Sequence, residues 1–186
     1  MPADNPFVGR AGARPEIWTY GHRNAQGLAI HPTTGEVWLH EHGPQGGDEL
    51  NLLKPGGNYG WPVAGYGVNY GGAAIHAGTH LPGMELPVRV WVPSIGVSGL
   101  LFYTGDAFPK WRGDAFVGGL SGQRVVRLRL NGTRVVQEET ILQGVGRVRD
   151  VQQGPDGFIY IALDGGTRWE DGPPTPILRL EPAGRR

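Results

Sequence analysis

Cysteine is absent from the 186 residues, which excludes disulfides, thiolate metal sites and a cysteine nucleophile. Net charge is absent too, with 17 Lys+Arg against 17 Asp+Glu. That removes the simplest electrostatic case for a nucleic acid or an acidic membrane as partner. Lysine is scarce: only Lys54 and Lys110 occur. No window approaches the ~18 consecutive apolar residues of a membrane-spanning helix. Met1 to Pro6 shows no basic stretch leading into an apolar core, so it does not read as a secretory signal. The phosphate loop, dinucleotide fingerprint, Ser/His/Asp order and Cys/His zinc spacing are all missing.

What is present is turn chemistry and aromatics. Glycine and proline make up about a quarter of the chain, yet 39% of residues are hydrophobic and six are tryptophan. Disordered chains seldom carry such aromatics, so the composition implies a folded, strand-based protein. Apolar runs are short, β-branched or aromatic, and bounded by Gly, Pro, Asn or Asp. Gly35 to His40 alternates apolar and polar after a Pro32–Gly35 turn. Arg124 to Leu130 runs into Asn131-Gly132, a hairpin signal, and then Arg134-Val135-Val136. Pro176 to Leu180 reads as a last strand.

These pieces recur. Gly27–Ile30, turn, Val37–Leu39 is one copy; Gly99–Tyr103, turn, Ala115–Val117 a looser second; Arg149–Val151, the Pro155-Asp156-Gly157 turn, Phe158–Tyr160 a third. A repeat of roughly 40–50 residues with about four short strands is the mark of a β-propeller blade, and this length accommodates about four. The alternative on patterning is a β-sandwich with irregular loops. Residues 71–86 and 164–175 read as loops without motif.

The stretch from Glu41 to Tyr70 departs from a plain blade. It is dense in glycine, with Asp48, Glu49 and several aromatics, and long structured loops are usually functional. Glycines let carbonyl oxygens converge, and acids add charge, as a hard cation such as calcium requires. A plain turn is the competing reading. Arg23 and Asn24, ahead of the strand near Gly27, offer several donors to a polar ligand, or equally a surface ion pair and a turn cap. Arg147 and Arg149 stand at i and i+2, on one face of an extended segment, and suit a ligand with several carboxylates. Arg127 and Arg129 have the same spacing and read as surface. His40 and His42 form an i, i+2 pair for which no third metal ligand is evident.

Together, Gly21-His22-Arg23-Asn24-Ala25-Gln26-Gly27-Leu28, Glu41-His42-Gly43-Pro44 through Gly47-Asp48-Glu49-Leu50-Asn51, and Gly57-Asn58-Tyr59-Gly60-Trp61-Pro62 resemble the soluble glucose dehydrogenase family. Within it the resemblance is nearer to the aldose sugar dehydrogenases that use pyrroloquinoline quinone (PQQ). Phe102-Tyr103, Trp111-Arg112-Gly113-Asp114 and Gly146-Arg147-Val148-Arg149-Asp150-Val151 continue it.

The resemblance implies an all-β, six-bladed propeller. Residues 1–186 would form one partial domain from its C-terminal portion. The implied reaction is oxidation of sugar CH–OH groups by hydride transfer to calcium-bound PQQ. The implied partners are a small sugar and an electron acceptor for the reduced quinone, and the implied location is the periplasm or outside the cell. Gly43 and Pro44 would offer carbonyls to calcium, and Glu49 and Tyr59 would serve a second, structural calcium. Arg23 and Asn24 would contact substrate and quinone; Arg147 and Arg149 would bind the cofactor's carboxylates.

In an ungapped comparison Ser121 stands where the family has a cofactor-contacting lysine, so that contact is either lost or taken over by Arg124. The family's base histidine belongs to an earlier blade with no counterpart here. The expectations are therefore an incomplete chain, inactive or nearly so alone, with open flanks that seek a second copy or the missing N-terminal blades. A non-catalytic propeller that binds carbohydrate or protein is the alternative reading.

Overall fold

A computed structural model describes residues 2–164 and 175–183. Of the motif-free stretch 164–175, residues 165–174 lie outside the described residues. Eleven strands are formed among those described, with a single short 3-10 turn at Pro109–Trp111. Three antiparallel sheets result. The first runs in the order β1 (Ala25–Ile30), β2 (Val37–Glu41), β3 (Asp48–Leu52), β4 (Arg89–Trp91). The second is β5 (Val97–Phe102), β6 (Ala115–Gly119), β7 (Arg124–Asn131), β8 (Arg134–Gln143). The third pairs β9 (Arg147–Gln153), β10 (Ile159–Asp164) and β11 (Ile177–Leu180).

The three sequence repeats are the first two strands of each sheet. At the tip of the β7–β8 hairpin Asn131 pairs with Arg134, leaving Gly132 and Thr133 as the turn. Gly132 has φ +58°, a conformation glycine adopts without steric cost. The count of about four blades from length becomes three sheets among the described residues. The difference lies in residues 53–88, which form an irregular excursion between β3 and β4, and in residues 2–24, which form turns.

The sheets stack face to face, each burying what the strand alternation turns toward its neighbour. Trp38, Leu50 and Trp91 of the first sheet pack on Val97, Leu100, Phe102, Val117, Val126 and Leu128 of the second. The second sheet's other face, with Phe116 and Val125, packs on Val148, Val151, Ile159, Ile161 and Leu163 of the third. The middle sheet is covered on both sides, which is why every residue of β6 is buried. The outer faces of the stack are open: Leu28 and Ile30 are 61% and 63% exposed on one flank and Ile177 68% on the other. Arg127 corrects its surface reading. Its side chain is only 12% exposed, paired with Asp114 (3.2 Å) and Glu139 (3.3 Å) and lying over the Trp111 ring.

The first strands of the three sheets run side by side in one direction. At their starts, His42 Nε2, next to the β1 entrance, donates to Val97 O (2.6 Å), and Ser98 Oγ donates to Val148 O (2.8 Å). At their ends, the His31 and Phe102 rings meet at 4.9 Å and Thr104 N donates to Gln153 Oε1 (2.8 Å). The entrances of β1, β5 and β9, and the loops 42–47 and 120–123, therefore share one end of the molecule.

Candidate functional site

The site is built at that shared end around two buried acids. Glu41, at the end of β2, is 4% exposed. Its Oε2 accepts from the backbone N–H of Arg23 (2.6 Å) and of Asn24 (3.4 Å). Its Oε1 accepts from Asn51 Nδ2 (3.1 Å) and His22 Nδ1 (2.8 Å). The other ring nitrogen, Nε2, shares a hydrogen bond with the Thr19 hydroxyl (2.9 Å), and the ring stacks on Tyr59 at 4.6 Å. Asp48, 1% exposed, accepts from Gly43 N (3.2 Å), Gly96 N (2.7 Å) and Val97 N (3.2 Å), tying the 42–47 loop to the second sheet. These acids fix the backbone; the functional groups are what they hold in place.

Arg23 Nη1 donates to the carbonyls of His42 (3.1 Å) and Gly43 (2.9 Å), and its guanidinium lies 5.3 Å from the Trp61 ring. The loop turns back so tightly that a Cβ on Gly43 would fall 2.2 Å from Gly46 O and 2.4 Å from Gly47 O. Only glycine permits this convergence of backbone oxygens. Arg23, Gly43, Pro44, Glu49 and Tyr59 line one cleft, together with Tyr66 and His76. The space left at its centre is about 20 Å³, the size of a water or a single ion.

Glu49 is pushed up to about 7, mainly by burial and further by the nearby Glu41 and Asp48, against an opposing hydrogen bond from Asn51. The Tyr59 hydroxyl is committed, donating to Leu52 O (2.6 Å) and accepting from Lys54 N (2.9 Å), so its carbonyl is the oxygen it has to offer. No cluster of three His, Cys, Asp or Glu suited to a metal occurs among the described residues. Oxygen donors here are chiefly backbone, which suits calcium. His40 and His42 do not converge on a metal: His40 is fully buried, and His42 is bound to Val97 O.

The other predicted residues sit at the same end, outside this cleft. Asn24 Oδ1 accepts from Gln26 Nε2 (2.9 Å), and Gln26 borders an open depression of about 410 Å³ that also holds Ser98, Arg149 and Asp150. Arg147 and Arg149 both pair with Asp164 (3.5 and 2.6 Å). Arg124 opens β7, its Nε buried and without a hydrogen-bond partner among the described residues. The carbonyl loop and the paired arginines are thus neighbours on one face without lining one common cavity.

Reading the sequence missed Glu41 and Asp48 as the residues that set the site. Their signal was an acid inside an apolar strand pattern. It also left residues 71–86 unassigned, yet His76 returns to the cleft, its Nδ1 donating to Pro62 O (2.8 Å).

Radially stacked antiparallel sheets with parallel first strands and a loop-built site at one end define a portion of a β-propeller. A model of the Glucose / Sorbosone dehydrogenase family matches residues 1–169, and the chain belongs to that family. It is 47% identical over 167 residues to the aldose sugar dehydrogenase YliI of Escherichia coli, covering 88% of this chain and 45% of that protein. A crystal structure of a glucose dehydrogenase superposes with a TM-score of 0.90 at 48% identity, over 98% of this chain and 51% of that one. The PQQ-bound aldose sugar dehydrogenase of Streptomyces coelicolor superposes with a TM-score of 0.68 at 30% identity, over 97% and 50%. The chain spans about half the length of these relatives.

Proposed function

We propose that this chain carries the cofactor- and metal-binding part of a PQQ- and calcium-dependent dehydrogenase that oxidises aldose sugars by hydride transfer. The observation that carries the reading is the convergence of the Gly43 loop oxygens with the Arg23 guanidinium, at the end where Arg147 and Arg149 also stand. The residues fit both groups. Gly43 and Pro44 offer hard carbonyl oxygens from a loop so tight that a Cβ on Gly43 would meet Gly46 O and Gly47 O. Arg147 and Arg149 keep spare N–H donors for carboxylates. Glu49, with the Tyr59 carbonyl, is suited to a second calcium.

When bound, PQQ supplies the two-electron acceptor and calcium the Lewis acid. Arg23, anchored through its backbone by Glu41, presents a fixed positive charge to an oxygen that gains negative charge. Asn24 adds an amide beside it, and Arg124 replaces the lysine missing at Ser121. No histidine here matches the base that resemblance assigns to an earlier blade. A positioned base is worth on the order of a hundred- to ten-thousand-fold, so the chain alone is expected to bind without turnover. Its working location is expected to be periplasmic or extracellular, which cell fractionation would test. The open flanks around Leu28, Ile30 and Ile177 favour association with a second copy or with further blades; a monodisperse monomer by light scattering would count against that.

The main test is titration of the purified chain with PQQ, with and without calcium. The expectation is a saturable, calcium-dependent absorbance change, abolished by Arg147→Ala plus Arg149→Ala, and no sugar-dependent dye reduction. Absence of saturable binding would sink the cofactor assignment, and dye reduction would overturn the predicted inactivity.

A further inference from the structure

The strand that carries Arg147 and Arg149 is not regular. Ala162 pairs with Asp150 and Leu163 with Val148, so Arg149 has no residue opposite it. This bulge lets Val148 and Val151, three positions apart, both face the core at 0% exposure while Arg147 and Arg149 stay outward. Asp164 sits directly across from Arg147 in the ladder. A single oxygen, Oδ2, accepts from Arg149 Nη2 (2.6 Å) and Arg147 Nε (3.5 Å). The carboxyl is 22% exposed and the two arginine side chains 45% and 54%. The neighbouring Asp150 is engaged on its own strand, accepting from Val151 N (2.8 Å) and Gln152 Nε2 (3.3 Å).

The geometry points to Asp164 as a positioning residue that holds Arg147 and Arg149 together as a two-pronged clamp for a ligand bearing two carboxylates. Two guanidiniums this close repel, and each long side chain loses rotamer freedom when fixed. A shared acceptor counters both effects before the ligand arrives, and with five N–H donors on each fork most remain for the ligand. The benefit falls on a two-point ligand, which needs both forks in register. A one-point ligand needs only one fork and is opposed by the Asp164 charge. That this ligand is the quinone rests on the proposed function; the clamp itself does not.

The test measures binding of benzoate, isophthalate and PQQ to the full chain by calorimetry, with far-UV circular dichroism confirming the fold. Asp164→Ala should lower the preference for isophthalate over benzoate by about tenfold, the effect of freezing two rotamer-rich side chains on binding, while benzoate affinity holds or rises. Asp164→Asn keeps an amide oxygen in place and should retain the preference within about threefold. A purely electrostatic role would instead raise isophthalate binding more than benzoate, and a collapsed site would lose both; either result overturns the proposal, as does failure of isophthalate to bind the unaltered chain. Isophthalate selectivity that depends on Asp164, without PQQ binding, would uphold the clamp and sink the quinone. PQQ binding with selectivity indifferent to Asp164→Ala would do the reverse.

Discussion

Replacing Glu41 by alanine tests the central claim that one buried carboxyl holds the Arg23–Asn24 entrance. The substitution strands the Arg23 N–H, whose bond is 2.6 Å, leaves His22 Nδ1 without its partner, and removes one of the two carboxylates that Asn51 Nδ2 serves, Glu49 remaining. A buried donor left unpaired costs about 1–3 kcal/mol, and this substitution leaves two, on Arg23 and His22, besides weakening the hold on Asn24 and Asn51. We therefore expect roughly 3–5 kcal/mol of destabilisation, a large share of the ~5–15 kcal/mol that a domain possesses. At about 2–4 °C per kcal/mol for a chain this size, Tm should fall by about 10 °C. Glu41→Gln keeps one acceptor oxygen and should lie between. Asp106→Ala is the control, since that side chain is 84% exposed and its loss should cost under about 0.5 kcal/mol. Urea unfolding and calorimetry give the values, and amide NMR shifts at Arg23 and Asn24 localise the effect. If Glu41→Ala unfolded no more easily than Asp106→Ala, the account of how this entrance is held would be wrong.

Two further outcomes follow from the same geometry. Gly43→Ala drives a Cβ into two backbone oxygens, so we expect about 1–3 kcal/mol of destabilisation and loss of any calcium-dependent rise in Tm, whereas Gly71→Ala, which meets nothing, should be neutral; equal behaviour of the two in thermal scans with calcium would refute this. Without added metal, two buried groups should oppose each other in pH. Burial lowers His40 below its ordinary 6.5, so its contribution to stability is present above that value and is lost as pH falls below it. Glu49, raised from 4.5 to about 7, favours the fold below 4.5 and loses that contribution as pH rises through 7. Glu49→Gln should then gain up to about 3 kcal/mol relative to the unaltered chain at pH 8, and parallel stability–pH curves would exclude it.

Much of the architecture is local and was therefore legible. Strand alternation, the Asn131-Gly132 turn and the Pro155-Asp156-Gly157 turn are short-range preferences, and they located the leading strand pair of each of the three sheets. The glycine density of residues 43–67 likewise marked a loop whose backbone must approach itself. Arg147 and Arg149 were predicted to face one way and do, by simple alternation; the bulge that brings Val151 to the core beside Val148 could not be read from spacing, because it exists only against β10. Arg127 looked like its surface counterpart and is instead tucked beside Asp114.

What the chain determined by itself was thus the set of strands, their turns and the residue types available for chemistry, since these depend on neighbours a few positions away. What only the tertiary structure decided was which acids are buried and what they grip. Glu41 meets Arg23 across 18 positions and Asp48 meets Gly96 across 48, and such meetings follow from sheets stacking on their apolar faces, where the loss of water makes every unpaired donor costly and every held one consequential.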